Sequence, residues 1–406
     1  MRGLSAIEQA AVARAAAEPM LEQVQAWAAV NSGSRNLDGL ALMAGIHADA
    51  FAALPGAIAL EEASPVDAMG ADGSLRPVAH GRNLHLTVRP DAPVQLLLTG
   101  HMDTVFGVDH PFQQVSWREP GRVLGGPGVA DMKSGIAVML AALKAVEASP
   151  AADRIGYEVV INSDEEVGSP GSAALIAAAA RGKKAALTYE PSALPDGTLA
   201  GARPGSGNFS IHVEGRSAHA GRNPEDGRNA IVAAADLALR LDRAKSAGLK
   251  VNPARIDGGG PNNVVPDQAV LRVNLRPATP EDEALARALL DEAIAAVAAA
   301  HDLRIHLHGG FGRPPKPFDA RAGKLFALVQ RCGADLGQDI GWRATGGVCD
   351  GNNIAACGVP VVDTMGVRGG FIHSADEYLI VESLGERAAL SALTLLRLAE
   401  GEAWPL

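Results

Sequence analysis

The feature that most constrains the fold is an apolar run that stops at a glycine and is followed at once by His101 and Asp103. The segment reads Leu-Leu-Leu-Thr-Gly-His-Met-Asp-Thr over residues 96–104, which is typical of a buried strand and the turn at its end. Side chains two residues apart share one face of an extended chain, so His101 and Asp103 are predicted to point the same way. A carboxylate beside an imidazole fixes its tautomer and raises its basicity, as a metal-ligating histidine requires.

Other apolar runs also end in histidine or carboxylate side chains. Four strand-like runs each present such a side chain at or soon after the carboxyl end, where open α/β sheets place their sites. A further carboxylate lies in a glycine-rich loop before an apolar helical pattern. Two histidines and three carboxylates, one of them bridging, fit two adjacent zinc-like ions. In chain order the candidates are His101, Asp131, the pair Glu165 and Glu166, Glu190, and His373.

Each candidate also has a structural interpretation. Asp131 lies near a predicted helix start, where aspartate is favoured as an N-cap. Glu165 and Glu166 belong to a run of three acids that is typical of a solvated turn. The functional interpretation needs cations to offset the repulsion, with one glutamate as a ligand and its neighbour as a general base. The joint pattern of all the candidates favours the metal site.

The order of motifs resembles the zinc-dependent M20 peptidase family, and most of all its glutamate carboxypeptidase branch. The motifs are His-x-Asp, Asp-Met-Lys-x-Gly, Glu-Glu, Glu-Pro and a late Gly-x-His-x-x-Asp-Glu. The similarity runs from about residue 95 to the end of the chain, whereas the first ~90 residues fit in pattern only. The resemblance implies an α/β fold, in which a zinc-peptidase catalytic domain with a mixed central sheet flanked by helices carries an inserted α+β ferredoxin-like lid and dimerisation domain.

The secondary-structure pattern agrees with an inserted domain. Helices are predicted near residues 6–31 and 37–53, and βα alternation continues to about residue 200. A β-α-β-β-α-β order typical of ferredoxin-like units follows, with short strands predicted at 254–258 and 304–308. We therefore expect a discontinuous catalytic domain and one lid domain. Their predicted bounds are 1–201 with 315–406, and 202–314.

The resemblance implies a metal role for five residues. His101 and Glu190 would bind one zinc ion, and Glu166 and His373 would bind the other. Asp131 would bridge both ions together with a water or hydroxide. The implied cofactor is two Zn²⁺ per subunit, with Co²⁺ or Mn²⁺ as substitutes. The family often has a cis peptide bond after the bridging aspartate, which here is the bond from Asp131 to Met132.

The resemblance also implies roles around the metals. Asp103 would orient His101, and Glu165 would be the general base. A homodimer formed through the lid would bring His219 to the partner's site, where it would donate to the oxyanion. Without the family, a loop histidine such as His219 is more readily explained as a surface residue.

Four residues match substrate-binding positions of the family. Arg276, at a predicted strand end, would bind the terminal carboxylate with its planar fork, although a strand-end salt bridge is the structural alternative. Asn263 would assist it. Arg203 sits where relatives often carry Arg-Lys-Gly, but here the lysine is replaced by proline. Gly347 belongs to a glycine-rich segment, residues 344–350, that resembles a substrate loop.

Composition limits the classes of function and partner. The chain has 406 residues, 47% of them hydrophobic, which suffices for two domains. A net charge of −10 and the lack of a basic cluster argue against a nucleic-acid partner. Three cysteines argue against a disulfide framework. Acidic residues interrupt any apolar core of a signal peptide, and no run is long enough to span a membrane, so we expect a cytoplasmic protein without a membrane partner.

The resulting hypothesis is a zinc-dependent metallocarboxypeptidase or amidohydrolase. It would release a C-terminal amino acid, acidic in character, from an acyl, pteroyl or peptidyl group, poly-acidic oligopeptides included. The first alternative is an N-acyl amino acid deacylase of the acetylornithine or succinyl-amino-acid type. The second, from another class, is a catalytically silent peptide-binding relative, which the complete candidate set and the retained Glu165 argue against.

Overall fold

A computed structural model describes residues 3–402 of the chain. Ten α-helices lie within this range: α1 (Ala6–Ala16), α2 (Met20–Ala28), α3 (Leu37–Phe51), α4 (Lys133–Glu147), α5 (Ala173–Ala180), α6 (Ala230–Arg243), α7 (Pro280–His301), α8 (Ala320–Asp335), α9 (Asp350–Ala356) and α10 (Ser383–Glu400). Eighteen strands accompany them in the described range: β1 (Ala57–Glu61), β2 (Asp67–Met69), β3 (Leu75–Pro77), β4 (Asn83–Val88), β5 (Val94–His101), β6 (Ser116–Glu119), β7 (Val123–Gly125), β8 (Ile155–Asn162), β9 (Ala185–Thr188), β10 (Leu199–Ala200), β11 (Ser206–Glu214), β12 (Leu249–Gly258), β13 (Gln268–Pro277), β14 (Arg304–Arg313), β15 (Trp342–Arg343), β16 (Val361–Val362), β17 (Gly369–Gly370) and β18 (Tyr378–Ile380).

A mixed six-stranded sheet forms the centre of the larger domain, in the order β1-β4-β8-β5-β9-β16. The pairs β8–β5, β5–β9 and β9–β16 are parallel, whereas β1–β4 and β4–β8 are antiparallel. The carboxyl ends of β5, β8 and β9 therefore meet at one edge of the sheet. These are the strands whose sequences end in the predicted ligands.

Helices cover both faces of this sheet. Leu96 and Leu98 of β5 belong to the main core with α1, α4 and α10, whereas Leu97 belongs to a second core with Ile176 of α5 and Ile354 of α9. Side chains alternate between faces along a strand, so a continuous apolar run such as the one in β5 is what a strand buried on both sides requires.

A smaller sheet, in the order β17-β18-β7-β6, places two loops beside the edge of the central sheet. Strand β7 leads into the glycine-rich loop that carries Asp131, and β17 leads into the loop that carries His373. Pairing of β18 with both β7 and β17 holds these two loops together, although the residues are far apart in sequence.

Residues 206–313, which we call the inserted domain, form a separate antiparallel sheet in the order β12-β13-β11-β14. Helices α6 and α7 pack on one face of this sheet around a core that includes Ile211, Leu237, Leu271 and Leu290. The β-α-β-β-α-β connection and this strand order confirm the ferredoxin-like pattern predicted from the sequence. The exact bounds of the two domains stay a prediction.

Three elements differ from the sequence predictions. The helix predicted near 6–31 is two helices, because Pro19 has no N–H to continue the first and instead precedes α2. Strand β12 begins before its predicted start, since its first residues pair with the end of β13, and Pro253 is tolerated there because β12 is an edge strand. Strand β14 continues past its predicted end to Arg313, because the glycines at 309–310, which carry no apolar pattern, still pair with β11.

A hairpin of the catalytic domain, β2–β3, was not predicted and contacts the inserted domain. The Arg272 guanidinium donates to the Met69 carbonyl at 2.9 Å, and His308 Nε2 lies 3.0 Å from the Asp67 carbonyl. These polar contacts fall on the sheet face opposite α6 and α7. The two domains are thus joined by side chains as well as by the chain crossings. Among the described residues, no helix is both long and apolar enough to cross a membrane.

A buried histidine in α3 generates a prediction about stability. His47 packs edge-on against Trp27, and neither of its ring nitrogens has a hydrogen-bond partner within residues 3–402. Burial and the nearby Lys133 charge lower the pKa of His47 to about 3. Between that pKa and the value of about 6.5 expected when unfolded, the unfolded chain binds one more proton than the folded chain, which costs about 1.4 kcal/mol of unfolding free energy per pH unit of acidification.

We therefore expect His47→Met to lose less stability than the wild type as the pH falls below 6.5. Denaturant unfolding of both proteins at several pH values from 7.5 down to 5 measures the difference between their unfolding free energies. This difference should change by about 1.4 kcal/mol per pH unit below pH 6.5 and stay constant above it. If the unfolding free energies of the two proteins instead changed equally with pH across the whole range, His47 would be protonated in the folded protein.

Candidate metal centre

His101, the last residue of β5, is buried with one ring nitrogen directed at carboxylates. Its Nδ1 lies 3.0 Å from the backbone oxygen of Asp103, to which a neutral imidazole donates. Its Nε2 is then an acceptor, and it lies 3.1 Å from Oδ1 of Asp131 and 3.8 Å from Oε2 of Glu190. This is the tautomer that a metal ligand needs.

Asp131 stands between the two predicted histidine ligands. Its Oδ1 faces His101, and its Oδ2 lies 3.2 Å from Nε2 of His373. The same His373 nitrogen lies 3.1 Å from Oε2 of Glu166. Two carboxylate oxygens that face two separate imidazoles form the arrangement expected of a bridging ligand. The peptide bond from Asp131 to Met132 is cis, as the resemblance implied.

The predicted ligands therefore come together in this chain. Ligand atoms of His101, Glu165 and Glu190 lie within 4.8 Å of one another, as do those of His101, Asp131 and Glu166. His373 completes the cluster from the cleft side, with 53% of its side chain exposed. Imidazole nitrogen and carboxylate oxygen are the donors that zinc and similar divalent ions take.

Asp103 serves the centre in a way that the sequence did not predict. Its carboxylate accepts the backbone N–H groups of Glu165 at 3.1 Å and Glu166 at 3.2 Å, and the Ser34 hydroxyl at 2.7 Å. Asp103 Oδ1 also lies 3.4 Å from Nδ1 of His101. Asp103 thus anchors the turn that carries both glutamates, and its predicted role in orienting His101 falls largely to its backbone oxygen.

The run of three acids separates into three environments. Asp164 turns inward and accepts from the Gly171 N–H at 2.6 Å and the Ser172 hydroxyl at 2.5 Å. Glu165 pairs with the Arg313 guanidinium at 2.6 Å, whereas Glu166 faces His373. The solvated-turn interpretation is therefore wrong for Asp164, which is fully buried.

Crowding of buried carboxylates perturbs the acid groups at the centre. Burial and the Asp131 charge raise the pKa of Glu190 to about 7, and the same two causes raise the pKa of Glu166. Burial raises the pKa of Glu165 well above its usual range, although the Arg313 charge opposes that shift. Burial opposes the charged form of His101, yet the carboxylates of Asp103 and Asp131 hold its pKa well above the usual value. Divalent cations would relieve this crowding.

Glu377 supports the loop that holds Asp131 and was missed by the sequence analysis. Its buried carboxylate accepts the backbone N–H groups of Gly128 at 3.2 Å, Ala130 at 2.8 Å and Asp131 at 3.0 Å. Burial and the Asp131 charge raise the pKa of Glu377 to about 7. Its place in the late Gly-x-His-x-x-Asp-Glu motif was the available signal.

A polar cleft of about 950 Å³ separates the metal cluster from the inserted domain. Arg276 lines it, with Nε donating to the Asn274 side chain at 2.9 Å and Nη1 donating to the Gly346 carbonyl at 3.1 Å. Among residues 3–402, Arg276 forms no ion pair, so the predicted alternative of a strand-end salt bridge is not observed. Asn208, Asn274 and Asn252 lie opposite one another on three neighbouring strands beside it.

A second cavity, of about 440 Å³, also borders the cluster and shares Glu165, Val348 and His373 with the polar cleft. It is bounded by Asp131, Glu165 and Glu190 at one end, and much of its wall is apolar. The apolar wall includes Pro191, Ala193, Pro195, Val348, Phe371, Ile372 and Tyr378. Phe371 and Ile372 are exposed to this space rather than packed in the core. The candidate cluster therefore borders both a polar cleft and a largely apolar cavity.

Arg203 and Gly347 lie at the rim of the second cavity. Arg203 donates to Oδ2 of Asp363 at 2.7 Å and to the Gly347 carbonyl at 3.2 Å. Its guanidinium is thus partly occupied by a buried carboxylate and by the glycine-rich segment. Cys349, also at the rim, contacts Asp363 through Sγ at 3.5 Å, which places it outside the metal cluster. The cysteines at 332, 349 and 357 are all free.

His219 and Asn263 lie together but apart from the cluster. The Ala220 N–H donates to the Asn263 carbonyl at 2.9 Å, and His219 forms a bridge with Val264. Both His219 and Asn263 are exposed. In the part of the chain that is described, neither contacts a residue of the metal cluster. Their predicted roles stay predictions.

Comparison with known proteins decides the family. The sequence model of peptidase family M20/M25/M40 matches residues 97–397, which is more than two thirds of the chain. This chain belongs to that family. Carboxypeptidase G2 from Pseudomonas sp. (strain RS-16) is 32% identical over 338 residues, which are 79% of this chain and 78% of that protein. A succinyl-diaminopimelate desuccinylase from Psychrobacter arcticus is 31% identical over 283 residues, 65% of this chain and 67% of that protein.

Solved structures with low sequence identity share the fold. An M20 family metallo-carboxypeptidase from Sulfolobus solfataricus has a TM-score of 0.68 at 14% identity, covering 93% of this chain and 99% of that chain. A dinuclear metal binding M20 peptidase from Bacillus subtilis has a TM-score of 0.66 at 15% identity, covering 97% and 99%. The M20 resemblance and the predicted fold class are confirmed. The chain is a hydrolase of amide bonds in a metal-dependent family.

Proposed function

We propose that this protein hydrolyses an amide bond at a two-metal centre and releases a C-terminal Glu or Asp from an acyl, pteroyl or peptidyl group. Short poly-acidic peptides belong to the same class of substrate. The observation that carries the proposal is Asp131, whose two oxygens face His101 and His373 at 3.1 and 3.2 Å. Each histidine also lies beside a glutamate, so the cluster offers two adjacent sets of ligands.

The residues fit two divalent ions. His101 and Glu190 would hold one ion, Glu166 and His373 would hold the other, and Asp131 would serve both. Nitrogen and carboxylate donors suit Zn²⁺, with Co²⁺ or Mn²⁺ as substitutes. Buried carboxylates with raised pKa values also fit, because a nearby divalent charge favours their ionised form.

The chemistry divides between the cofactor and the chain. When bound, the ions lower the pKa of a water molecule and polarise the scissile carbonyl. Glu165, whose carboxylate reaches to within 4.8 Å of ligand atoms of His101 and Glu190, would take the proton from the attacking water. It would then pass the proton to the leaving amine. Asp103 accepts the backbone N–H groups of Glu165 and Glu166 and thereby fixes the turn that carries Glu165.

The surroundings support an anionic leaving group and a bulky acyl group. Arg276 presents to the polar cleft a guanidinium that forms no ion pair among residues 3–402, and its planar fork suits the α-carboxylate of the released amino acid. The neighbouring Asn208 and Asn252 side chains would offer N–H donors for a second carboxylate. The apolar cavity, walled by Phe371 and Ile372, suits an apolar or aromatic acyl group. Arg203 and Gly347 would line its rim.

The alternative is an N-acyl amino acid deacylase, which the identity with the desuccinylase favours. It would use the same metals and the same base, and Arg276 could bind the carboxylate of its product equally well. The apolar cavity favours the carboxypeptidase assignment, because a small acetyl or a charged succinyl group would leave that wall without a partner. A catalytically silent relative is disfavoured by the presence of Glu165 next to the ligands.

We also propose that the chain works as a homodimer formed through the inserted domain. His219 and Asn263 are exposed together on that domain, and within the described residues neither contacts the cluster of its own chain. In a dimer His219 would reach the partner's site and donate to the oxyanion, and Asn263 would help to hold the substrate.

The first prediction from this proposed function concerns the general base. Glu165→Ala should lower kcat by about 10²–10⁴-fold, because proton transfer is lost, while the metal content stays near that of the wild type. Turnover and metal content of the same preparations are the measurements. Glu166→Ala, one residue away, is the matched control and should lose metal. If Glu165→Ala loses metal and Glu166→Ala keeps it, the two roles are reversed.

The second prediction concerns the substrate. We expect faster release of C-terminal Glu or Asp from bulky N-benzoyl-type or dipeptidyl substrates than from their N-acetyl or N-succinyl forms. Release of Glu or Asp should also exceed release of ornithine or Leu from N-acetyl or N-succinyl substrates. Arg276→Lys should lower kcat/KM for the acidic substrates by about 10–100-fold, since an ammonium cannot form the paired hydrogen bonds of a guanidinium. Preference for N-acetyl or N-succinyl basic substrates would assign the protein to the deacylases.

The third prediction tests whether His219 acts across a dimer. Glu165→Ala and His219→Ala chains, each inactive alone, are unfolded, mixed and refolded together. Half of the dimers would then be mixed, and each would contain one intact site, so about a quarter of wild-type activity should return. A histidine that serves its own subunit would give no recovery at all.

A further inference from the structure

Arg313 is a buried cation at the point where the chain returns from the inserted domain to the catalytic domain. It is the last residue of β14, it lies opposite Ser206 in the neighbouring strand, and it is only 3% exposed. No motif in the sequence marks it. An arginine buried this deeply requires partners for its charge and its donors.

The partners of Arg313 all belong to the catalytic domain. Its Nη2 donates to Oε1 of Glu165 at 2.6 Å, to the Glu165 carbonyl at 3.0 Å and to the Ser169 hydroxyl at 3.1 Å. Its Nη1 donates to Oδ1 of Asp350 at 2.7 Å and to the Asn353 side chain at 3.0 Å. One guanidinium therefore holds the side chain and the backbone of Glu165 at once.

Arg313 is itself held from its other side. Asp350, the first residue of α9, accepts from the Asn162 amide at 2.9 Å and from the Ser169 hydroxyl at 2.5 Å, in addition to Arg313. Asn162 ends β8, the strand that leads directly into the acidic turn. The guanidinium plane is thus fixed between two carboxylates, and its freedom to rotate is small.

We propose that Arg313 is a positioning residue that holds the Glu165 carboxylate in one orientation for proton transfer, which rests on the proposed role of Glu165 as the general base. A glutamate side chain has three rotatable bonds, and a base works best when its oxygen is already placed toward the reacting water. Arg313 occupies Oε1 of Glu165, while the carboxylate still lies within reach of His101 and Glu190. Because Arg313 ends a strand of the inserted domain, the same contact ties the base to the position of that domain.

A purely structural ion pair is the competing explanation, and Arg397 in α10 provides the comparison. Arg397 is also buried and pairs with two carboxylates, those of Glu8 and Asp335, each at 2.8 Å. It has no contact with the metal cluster among the described residues. Replacing either arginine leaves buried carboxylates uncompensated, so both changes should lower the melting temperature. Only the change at Arg313 should alter catalysis.

The experiment compares Arg313→Lys and Arg313→Gln in the wild type and in the Glu165→Ala background. The lysine variant keeps the charge beside Asp350, so it folds even if the glutamine variant does not. In the wild type, kcat should fall about tenfold for Lys and about 100-fold for Gln, with KM within about threefold and with the metal content unchanged. In the Glu165→Ala background, measured at high enzyme concentration, neither change should lower the residual rate further.

Arg397→Lys and Arg397→Gln are the matched controls, with a lower melting temperature and an unchanged kcat. The inference is overturned if the Arg313 variants behave like them. It is also overturned if Arg313→Lys lowers the rate equally with and without Glu165, since the arginine would then act independently of the base. Full activity of Glu165→Ala would overturn the proposed base as well, which separates failure of the proposed function from failure of this inference.

Discussion

The structure depends on the need to hold several carboxylates together, out of water, at one edge of a sheet. Asp131, Glu165, Glu166 and Glu190 are buried against two imidazoles, an arrangement that like charges oppose unless cations and N–H donors compensate. The chain supplies part of that compensation itself. Asp103 and Glu377 are two more buried acids. Their carboxylates accept hydrogen bonds from backbone N–H groups and so hold the loops that carry the candidate ligands.

The members of the candidate metal cluster were predictable from the sequence because each follows a local pattern. His101, Glu166 and Glu190 end apolar runs, and the parallel pairing of β5, β8 and β9 brings such ends together by geometry alone. The inserted domain was predictable for a similar reason, since its strands and helices alternate in a recognised order. Local patterns and the resemblance thus gave the fold class and the members of the cluster.

Residues that act through distant partners were not predictable. Arg313 lies beyond the predicted end of β14, and nothing near it in the sequence shows that Glu165, 148 positions away, is its partner. Asp350, which accepts from Arg313, entered the sequence analysis only as the last residue of the glycine-rich segment 344–350. Likewise the extension of β14 depends on strand pairing that a one-dimensional pattern does not contain, whereas Pro19 was itself a local signal for the break between α1 and α2.

The inserted domain leaves and rejoins the chain at neighbouring positions. Ser206, at its start, is paired with Arg313, at its end, on adjacent antiparallel strands. A short loop could therefore connect residue 205 to residue 314, and every strand of the central sheet would keep its present neighbours. Such an excision would leave the candidate metal ligands in place but would remove Arg313, the arginine that pairs with Glu165. A domain whose ends are adjacent can be inserted without disturbing the host sheet, and in this chain it also contributes a residue that contacts Glu165.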